Sequence, residues 1–500
     1  MTRTIRLHAS DNVVTATGPM EAGAAVEDVI TATLIPSGHK IATAPIATGG
    51  AILKYGQIIG YASTDIAPGD HVHVQNCAFR ATDHAYEFGT DLRPVEPATG
   101  DTFMGYRRKN GSVGTRNYVA VLTSVNCSAT AAHMIADAFG PEEMAQYPNV
   151  DGVCAFTHGT GCGMAGDGDG FEALQRVMWG YARHPNHAAV LMVGLGCEMN
   201  QIDWLLDAWG LEHSPTFQTM NIQNVAGLRR TVEAGIAKIR AMLPIANEAV
   251  REPCPVSELT VALQCGGSDA WSGITANPAL GHACDLLVAQ GGTGVLAETP
   301  EIYGAEHLLT RRAVDDATGA RLVGLIEWWK DYTERNRGSM DNNPSPGNKK
   351  GGLTTILEKS LGAAAKGGTT PLTGVYKYAE QVRAHGFTFM DSPGYDPASV
   401  TGQIAGGCNL VCFTTGRGSA FGSKPAPTIK VATNQTLFDR MPEDMDVNAG
   451  DILDGRSSVE AKGREIYETF LRVASGETTK SEAQGLGDHE FVPWQIGAVM

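Results

Sequence analysis

From residue 118 onward, short apolar runs alternate with stretches of helical periodicity, and this alternation restricts the possible folds more than any other feature. Continuous apolar runs of about four to eight residues are typical of strands that are buried on both faces. Because strands that alternate with helices form parallel sheets with covered faces, the pattern predicts an α/β fold. The runs are Tyr118–Val125, Val150–Phe156, Ala188–Val193, Leu259–Leu263, Gly294–Ala297, Thr388–Met390 and Leu410–Phe413.

The runs fall into two series, which predicts two α/β units with a boundary near residue 250. Helices are predicted at Ser128–Phe139, Phe171–Arg183 and Glu198–Ala208, and residues 224–251 are predicted to form a long helix and a connector. Domain boundaries of 105–250 and 251–500 follow from this division.

Residues 1 to 76 have a different texture, with short strand-like segments separated by proline and glycine turns. This spacing predicts a small all-β domain. Residues 77–104, which carry Pro94, Pro97 and Gly100, are predicted to be a linker. The predicted strands of the small domain are Thr4–His8, Asp28–Leu34, Ala51–Tyr55 and His71–Val74.

Charge and composition exclude several classes of partner. The formal net charge is −16, which disfavours binding to nucleic acid or to an anionic membrane surface. No apolar run is long enough to predict a membrane span, and the first residues lack the apolar core of a signal peptide. We therefore predict a cytoplasmic protein with free thiols, some of them available as metal ligands. The base rate for such enzymes predicts a homo-oligomer.

Three apolar runs of the first α/β unit are each followed by a cysteine: Cys127, Cys162 and Cys197. In open α/β sheets, ligands bind beyond the carboxyl ends of the strands. Three thiols at equivalent strand ends therefore predict either a thiolate metal site or, as the alternative, ordinary small buried residues.

A second candidate metal site lies in the small domain, at His71-Val-His73. Residues i and i+2 of a strand point to the same face, so the two imidazoles can bind one ion of iron or zinc. The alternative is a pair of exposed histidines on an edge strand. His39 and Lys40 follow a Pro-Ser-Gly turn and form a further polar pair.

Polar residues also follow the strands of the last unit. Asp269 follows a strand and two glycines, where it either caps a helix or faces a ligand. Arg417 lies between glycines, and its guanidinium suits either a ligand carboxylate or a structural ion pair. Glycine supplies 60 of the 500 residues and gathers at these strand ends. We interpret this excess as thin backbone around an anion-binding site.

These segments resemble the altronate/galactarate dehydratase family over nearly the whole chain. The resemblance implies a small N-terminal all-β domain of the SAF (β-clip) type, followed by two α/β domains with mainly parallel sheets. The segments that carry it are Leu7-His-Ala-Ser-Asp-Asn12, Gly38-His-Lys40, Lys54-Tyr-Gly56, Gly114-Thr-Arg-Asn117, Gly194-Leu-Gly-Cys-Glu198, Cys265-Gly-Gly-Ser-Asp269, Asn343-Pro-Ser-Pro-Gly-Asn-Lys349 and Thr415-Gly-Arg-Gly418.

The resemblance also implies a function, which is the dehydration of a six-carbon sugar acid to a 2-keto-3-deoxy acid. An altronate-type substrate is expected first, because His71, His73 and Asn76 resemble that branch, and galactarate is the alternative. A sulfolactate-type lyase and a non-catalytic sugar-acid binding protein are further alternatives. The family implies a divalent metal, with Fe²⁺ expected before Mn²⁺, and an iron–sulfur cluster on the three cysteines is the competing expectation.

We assign hypothetical roles to the residues on this basis, without deciding which one is the acid and which the base. The candidates for acid/base work are His39, Lys40 and His158, while Glu198 and Asp269 would orient hydroxyl groups or the metal. Arg417, with Lys349 as a second candidate, would bind the substrate carboxylate. The candidate metal ligands form two competing sets, which are His71 with His73, and Cys127 with Cys162 and Cys197.

Overall fold

The computed structural model describes residues 4–81 and 85–499. Its N-terminal part is built from short antiparallel strands joined by tight turns, which confirms the predicted small all-β domain. One sheet has the order β1-β2-β5-β8, a second has the order β6-β7-β9, and β3 pairs with β4. The strands are β1 (Thr4–Ile5), β2 (Val13–Ala16), β3 (Ala25–Val26), β4 (Val29–Ile30), β5 (Lys40–Ala42), β6 (Ala51–Lys54), β7 (Gln57–Ala62), β8 (His71–Val72) and β9 (Cys77–Ala78).

The second domain has a parallel sheet of order β13-β12-β14-β15, as the apolar runs predict. Two short strands precede it, β10 (Thr102–Arg107) and β11 (Val113–Gly114). The sheet strands are β12 (Tyr118–Thr123), β13 (Gly152–Phe156), β14 (His187–Gly194) and β15 (Phe217–Asn221). The helices around it are α1 (Ala129–Ala136), α2 (Pro141–Met144), α3 (Gly168–Ala182), α4 (Ile202–Trp209), α5 (Ile222–Val225) and α6 (Leu228–Ala246).

The C-terminal domain has a larger parallel sheet, of order β19-β20-β18-β17-β21-β22-β23. After β16 (Glu252–Pro255), which pairs with β10, its strands are β17 (Thr260–Cys265), β18 (Thr293–Ala297), β19 (Leu372–Tyr376), β20 (Gly386–Met390), β21 (Leu410–Thr415), β22 (Thr428–Ala432) and β23 (Val447–Asn448). Its helices are α7 (Ala276–Ala289), α8 (Glu306–Thr310), α9 (Asp316–Arg335), α10 (Pro346–Lys350), α11 (Ile356–Ala364), α12 (Asp396–Ala405), α13 (Gln435–Arg440), α14 (Val459–Ala474) and α15 (Lys480–Ala483).

The local predictions differ from the structure mainly at element ends. The run predicted at Asp28–Leu34 forms only the two-residue strand β4, because Ala32 to Leu34 belong to a turn that leads into Ile35. The helix predicted within residues 224–251 is α6, which begins after the positive-φ residue Gly227. In the part predicted as linker, β9 pairs with β7 and β10 pairs with β16.

The two α/β domains share one apolar core, in which helix α3 packs against helix α12. The C-terminal segment crosses this junction, where the ring of Phe491 stacks edge-on against Tyr181 and Phe156. Among the residues that the structure describes, no helix combines the length and apolar character needed to cross a bilayer. The shared core supports the glycine-rich loops at the strand ends.

Candidate active site

The N-terminal domain docks on the C-terminal domain through a buried ion-pair network. The ammonium group of Lys40 donates to the carboxylate of Glu358 at 2.9 Å and to the carbonyl of Gly352 at 2.7 Å. Lys54 donates to the same carboxylate at 2.9 Å. Burial alone would raise the pKa of the Glu358 carboxyl, but the two ammonium charges lower it well below its ordinary value. Lys40 therefore anchors the N-terminal domain, because its ammonium hydrogens are donated to Gly352 and Glu358 across the interface.

The turn before Lys40 fits closely against the partner domain. Gly38 has a φ of +81°, and a Cβ atom there would lie 3.2 Å from the Cβ of Ala270 and 3.5 Å from the carbonyl oxygen of Gly351. A glycine is required both by the left-handed backbone and by this close approach. The contact fixes the next residue, His39, against the loop around residue 350.

The pairing of β5 with β8 brings a third imidazole to the predicted His71–His73 pair. Ile41 is opposite His71 in this antiparallel ladder, and the chain before Lys40 places His39 beside both histidines. The Nδ1 atom of His39 lies 2.9 Å from the Nε2 atom of His71, and the ring centroids of His39 and His73 are 4.5 Å apart. One ring nitrogen of each histidine lies within 4.8 Å of the others.

These three imidazoles are suited to hold a divalent ion. Burial and the neighbouring charges of Lys40 and His39 lower the pKa of His73 to about 3. Burial and the charge of His39 lower that of His71 to about 4. The rings are therefore neutral at pH 7, as metal ligation requires. The Nδ1 atom of His73 is buried and has no hydrogen-bond partner among the described residues, so a ligand atom is left free.

A polar cleft of about 220 Å³ lies between Ser37 of the N-terminal domain and loops of the C-terminal domain, and His39 follows Ser37 by two residues without lining the cleft. The ring of His39 is hydrogen-bonded to the backbone carbonyl of Lys350, and Lys350 lines the cleft. The other lining groups include the cations Arg417 and Arg440, the carboxylate of Asp269, and Ser37 on the N-terminal rim. Three cavities lined by described residues are larger. Those of about 390 and 490 Å³ lie around Arg183 and Pro185 at the amino ends of the strands, away from the edge where open α/β sheets bind ligands, and one of about 570 Å³ lies around Trp179 and Trp209.

Asp269 is the acidic side chain of this cleft. Its Oδ1 atom accepts hydrogen bonds from the backbone of Trp271 and Ser272, and its Oδ2 atom accepts a 3.1 Å bond from the side chain of Asn434. Burial raises the pKa of this carboxyl, while the hydrogen bonds from Thr433 and Ser272 oppose the shift. These bonds close a turn and do not cap helix α7, which begins after Thr275 and has no side-chain cap, so the capping prediction is wrong. The same carboxylate lines the cleft.

The two predicted carboxylate-binding cations occupy different positions. Arg417 is exposed in the cleft, and its backbone carbonyl accepts a bond from the guanidinium of Arg440. Lys349 interacts instead with Asp341, outside the cleft lining. Lys350, Arg440 and Glu358 were not predicted from the sequence. The two consecutive lysines at 349 and 350 indicated a cation in this loop, but they did not show that Lys350 is the one that faces the cleft.

Family models match three consecutive parts of the chain. They are described as "Altronate/galactarate dehydratase SAF domain" over residues 2–80, "D-galactarate dehydratase/Altronate hydrolase, second domain" over 105–247, and "D-galactarate/Altronate dehydratase, C-terminal" over 256–499. The chain belongs to the altronate/galactarate dehydratase family. It is a hydro-lyase of that type.

Whole-length relatives bear different substrate names at the same level of identity. The altronate dehydratases of Bacillus subtilis (strain 168) and Escherichia coli (strain K12) are each 37% identical, over 96% of this chain and 96% of their own. The galactarate dehydratase (L-threo-forming) of Escherichia coli (strain K12) is 37% identical, over 96% of this chain and 95% of its own. Identity therefore does not separate the two substrates.

The second domain of this dehydratase presents the three predicted cysteines at one sheet edge. Cys127, Cys162 and Cys197 are exposed, whereas the other seven cysteines are buried. Their loops contact one another, since Asn126 donates to the carbonyl of Thr160 and Asn200 donates to that of Gly161. In the ranges that the structure describes, the three sulfur atoms do not lie within 4.8 Å of one another. One ion with Zn–S-type bonds of about 2.3 Å would not contact all three in this arrangement.

His158 and Glu198 of the same dehydratase form hydrogen bonds within the loops of this sheet edge. The Nε2 atom of His158 bonds the carbonyl of Thr123 at 2.9 Å, and its Nδ1 atom accepts from the backbone of Thr160 at 3.3 Å. The carboxylate of Glu198 accepts from Ser124 at 2.6 Å and from the backbone of Gly196 at 2.6 Å. Both side chains stabilise their own loops, and neither lines the cleft.

Proposed function

We propose that this chain is a metal-dependent dehydratase of a six-carbon sugar acid, with an altronate-type aldonate as the preferred substrate. The observation that carries the proposal is the position of the His39–His71–His73 cluster beside a cleft lined by three cations. Loss of the C2 proton and of the C3 hydroxyl of such an acid releases water and forms an enol. That enol tautomerises to the 2-keto-3-deoxy acid.

His39, His71 and His73 are the residues that would hold the divalent ion, which we propose to be Fe²⁺, with Mn²⁺ as the alternative. Ring nitrogens bound to one ion at ~2.0–2.1 Å lie roughly 3 Å apart, and the 2.9 Å separation of His39 and His71 is consistent with this value. A bound ion of this kind supplies Lewis acidity for the developing negative charge and for the leaving hydroxyl.

The cleft itself provides groups for the substrate carboxylate and for the C2 proton. Arg417 is exposed and free to form a bidentate pair with the carboxylate. Asp269 contributes the carboxylate of the cleft, and we assign it the role of the base that accepts the C2 proton at Oδ2. Burial raises the pKa of this carboxyl, and hydrogen bonds from Thr433, Ser272 and Trp271 oppose that shift.

Galactarate is the second candidate substrate, and the number of cations in the cleft favours it. An aldarate has a carboxylate at each end, and Arg440 and Lys350 provide further positive charge beside Arg417. An aldonate ends in a hydroxymethyl group, which would leave that additional charge without an anionic partner.

Incubation of the purified full-length protein with altronate and with galactarate, with and without added Fe²⁺ or Mn²⁺, tests the proposal. We expect a 2-keto acid from one of them only when metal is present, measured as the semicarbazone. Sulfolactate in a parallel reaction tests the lyase alternative through release of sulfite. Absence of product from every acid, with the fold intact and metal supplied, rejects the enzymatic proposal in favour of the binding-protein alternative.

The Arg417→Ala variant tests the carboxylate assignment within the same assay. Removal of a charge-assisted hydrogen bond costs about 1.5–3 kcal/mol, so we expect KM to rise roughly 10- to 100-fold. Arg229→Ala, on a helix of the second domain, is the matched control. An unchanged KM in Arg417→Ala would move the carboxylate site to another cation.

A further inference from the structure

A second cluster of ligand atoms lies in the C-terminal domain, outside the histidine site. Cys265 ends β17, Glu298 follows β18, and Glu301 lies in the short 3₁₀ turn Thr299–Glu301. The three residues are buried, and one ligand atom of each lies within 4.8 Å of the others. The carboxyl ends of two adjacent strands thus bring together a thiol and two carboxyl groups.

Glu298 differs from the other two residues in that its carboxyl group is buried without a hydrogen-bond partner among the described residues. Its backbone φ is +73°, a strained value for a residue with a Cβ atom. Burial, together with the charge of Glu301, raises the pKa of this carboxyl well above its ordinary value. A buried, unpartnered carboxyl group costs stability unless something binds it.

The other two groups each keep a free ligand position. The Oε1 atom of Glu301 is held by Lys359 and by the side-chain amide of Asn343, at 2.7 Å from the latter. Among the described residues, its Oε2 atom accepts only the weak 3.6 Å bond from the thiol of Cys265. The ammonium group of Lys366 donates to the sulfur of Cys265 at 3.0 Å, and its charge opposes the burial that raises the pKa of this thiol to about 11.

Two lysines face the cluster and carry one positive charge each, Lys359 beside Glu301 and Lys366 beside Cys265. Without a metal, the thiol of Cys265 and the carboxyl group of Glu298 keep their protons, because burial raises both pKa values. A divalent ion would displace those protons, since thiolate and carboxylate are the forms that bind a metal.

We propose that Cys265, Glu298 and Glu301 bind a second divalent cation, separate from the histidine site. A thiolate with two carboxylates selects a borderline metal such as Zn²⁺ or Fe²⁺ over Mg²⁺ or Ca²⁺. Three protein ligands leave a fourth position for water. Cys265 and Lys359 line a cavity of about 10 Å³, which has room for one water and is also lined by Asp269. The second ion therefore lies behind the wall of the substrate cleft.

Binding of Co²⁺ tests this site without reference to activity. The full-length protein is stripped with a chelator under reducing conditions and titrated with Co²⁺, whose bond to a thiolate gives a near-ultraviolet charge-transfer band. Because exposed thiols also react with Co²⁺, the titration uses the Cys127→Ser/Cys162→Ser/Cys197→Ser background. We expect the charge-transfer band in this background and its loss in the added Cys265→Ser variant.

Two further variants complete the test. Glu298→Gln keeps the volume of the side chain and removes its charge, and we expect it to weaken Co²⁺ binding at this site by at least ~10-fold. His71→Ala is the control, which should lose one equivalent of bound metal and keep the thiolate band. Circular dichroism and thermal unfolding confirm that each variant is folded. Absence of the band in the background protein, its persistence in Cys265→Ser, or unchanged affinity in folded Glu298→Gln would overturn the proposal.

Discussion

The carboxyl edges of the two parallel sheets hold their buried carboxylates differently. In the second domain, Glu198 accepts hydrogen bonds from its own loop, and the neighbouring thiol of Cys197 is exposed. In the C-terminal domain, Glu358 and Glu301 are paired with lysines from other elements. The lysine partners of Glu358 come from the N-terminal domain, which docks on this edge.

This difference shows how the partners of a buried carboxylate decide its role. Where the carboxylate accepts hydrogen bonds from the loop that carries it, it stabilises that loop. Where lysines of another element face it, the buried charges act strongly on one another and on a ligand. Substitution of one carboxylate at each edge tests this distinction.

The largest effect is expected from Glu358→Gln, compared with Glu198→Gln. Loss of the Glu358 charge leaves Lys40 and Lys54 buried without a partner, which costs about 3–5 kcal/mol. Loss of the Glu198 charge disturbs backbone hydrogen bonds and costs about 1–3 kcal/mol. Hydrogen exchange over residues 4–81 and thermal unfolding measure the two effects. Equal destabilisation by both variants would contradict the comparison.

Activity is expected to depend on the cluster of His39, His71 and His73, which the N-terminal domain brings to the edge of the C-terminal sheet. We expect His71→Ala to reduce kcat/KM at least ~100-fold, since even indirect partners of metal ligands cost 10- to 100-fold when removed. His213→Ala removes an exposed histidine of the second domain and should leave the rate unchanged. Metal analysis of the same samples should show the lost equivalent. Full activity of metal-loaded His71→Ala would exclude the cluster as the site.

Part of the acid sensitivity of folding is expected to come from the second domain, beside the contribution of His71 and His73. Burial lowers the pKa of His184 to about 4, and burial with the charge of His184 lowers that of His187 to about 3. Both are neutral in the fold, while the unfolded chain binds protons below pH ~6.5, so stability falls as the pH drops from 6.5 toward 4. Each histidine should cost about 2 kcal/mol at pH 5.

Denaturant unfolding at pH 7 and pH 5 measures this loss. His187→Gln, which has no proton to bind in this range, should lose less stability on acidification than the unmodified protein. Identical pH dependence of the two would show that His187 is not responsible.

The smallest effect is expected from replacing the exposed cysteines of the open edge. If the histidine cluster is the metal site, Cys127→Ser/Cys162→Ser/Cys197→Ser should keep its activity within about twofold, as exposed substitutions usually do. Assays of 2-keto acid formation and of acid-labile sulfide provide the measurement. Loss of activity together with loss of sulfide would instead assign the chemistry to a cluster at this edge.

The sequence predicted the parallel sheets because their signal is local. Buried strands such as Tyr118–Thr123 and Leu410–Thr415 are continuous apolar runs, and the structure has them nearly where they were predicted. The turn chemistry before His39 and the spacing of His71 and His73 were equally visible. The approach of His39 to these two histidines was not visible, since it depends on the pairing of β5 with β8 across the intervening hairpin.

The rest of the site could not be predicted because it depends on contacts between distant parts of the chain. No local pattern marks Glu358 on helix α11, and its lysine partners are more than 300 positions away. Glu298 and Glu301 follow a strand without glycine or cysteine beside them, so no local pattern marked them. His158 and Glu198 illustrate the reverse case, because a strand-end pattern does not reveal whether the local backbone already satisfies the side chain.

The pairing of Lys40 and Lys54 with Glu358 has a consequence for how the chain is made. The first domain to leave the ribosome cannot complete its interface until residue 358 has been synthesised, some 318 positions after Lys40. At ~5–20 residues per second, this interval is roughly 16–64 s. Throughout that time, both lysines remain hydrated at the surface of an otherwise foldable β domain. Their charge keeps this nascent face soluble until helix α11 arrives to cover it.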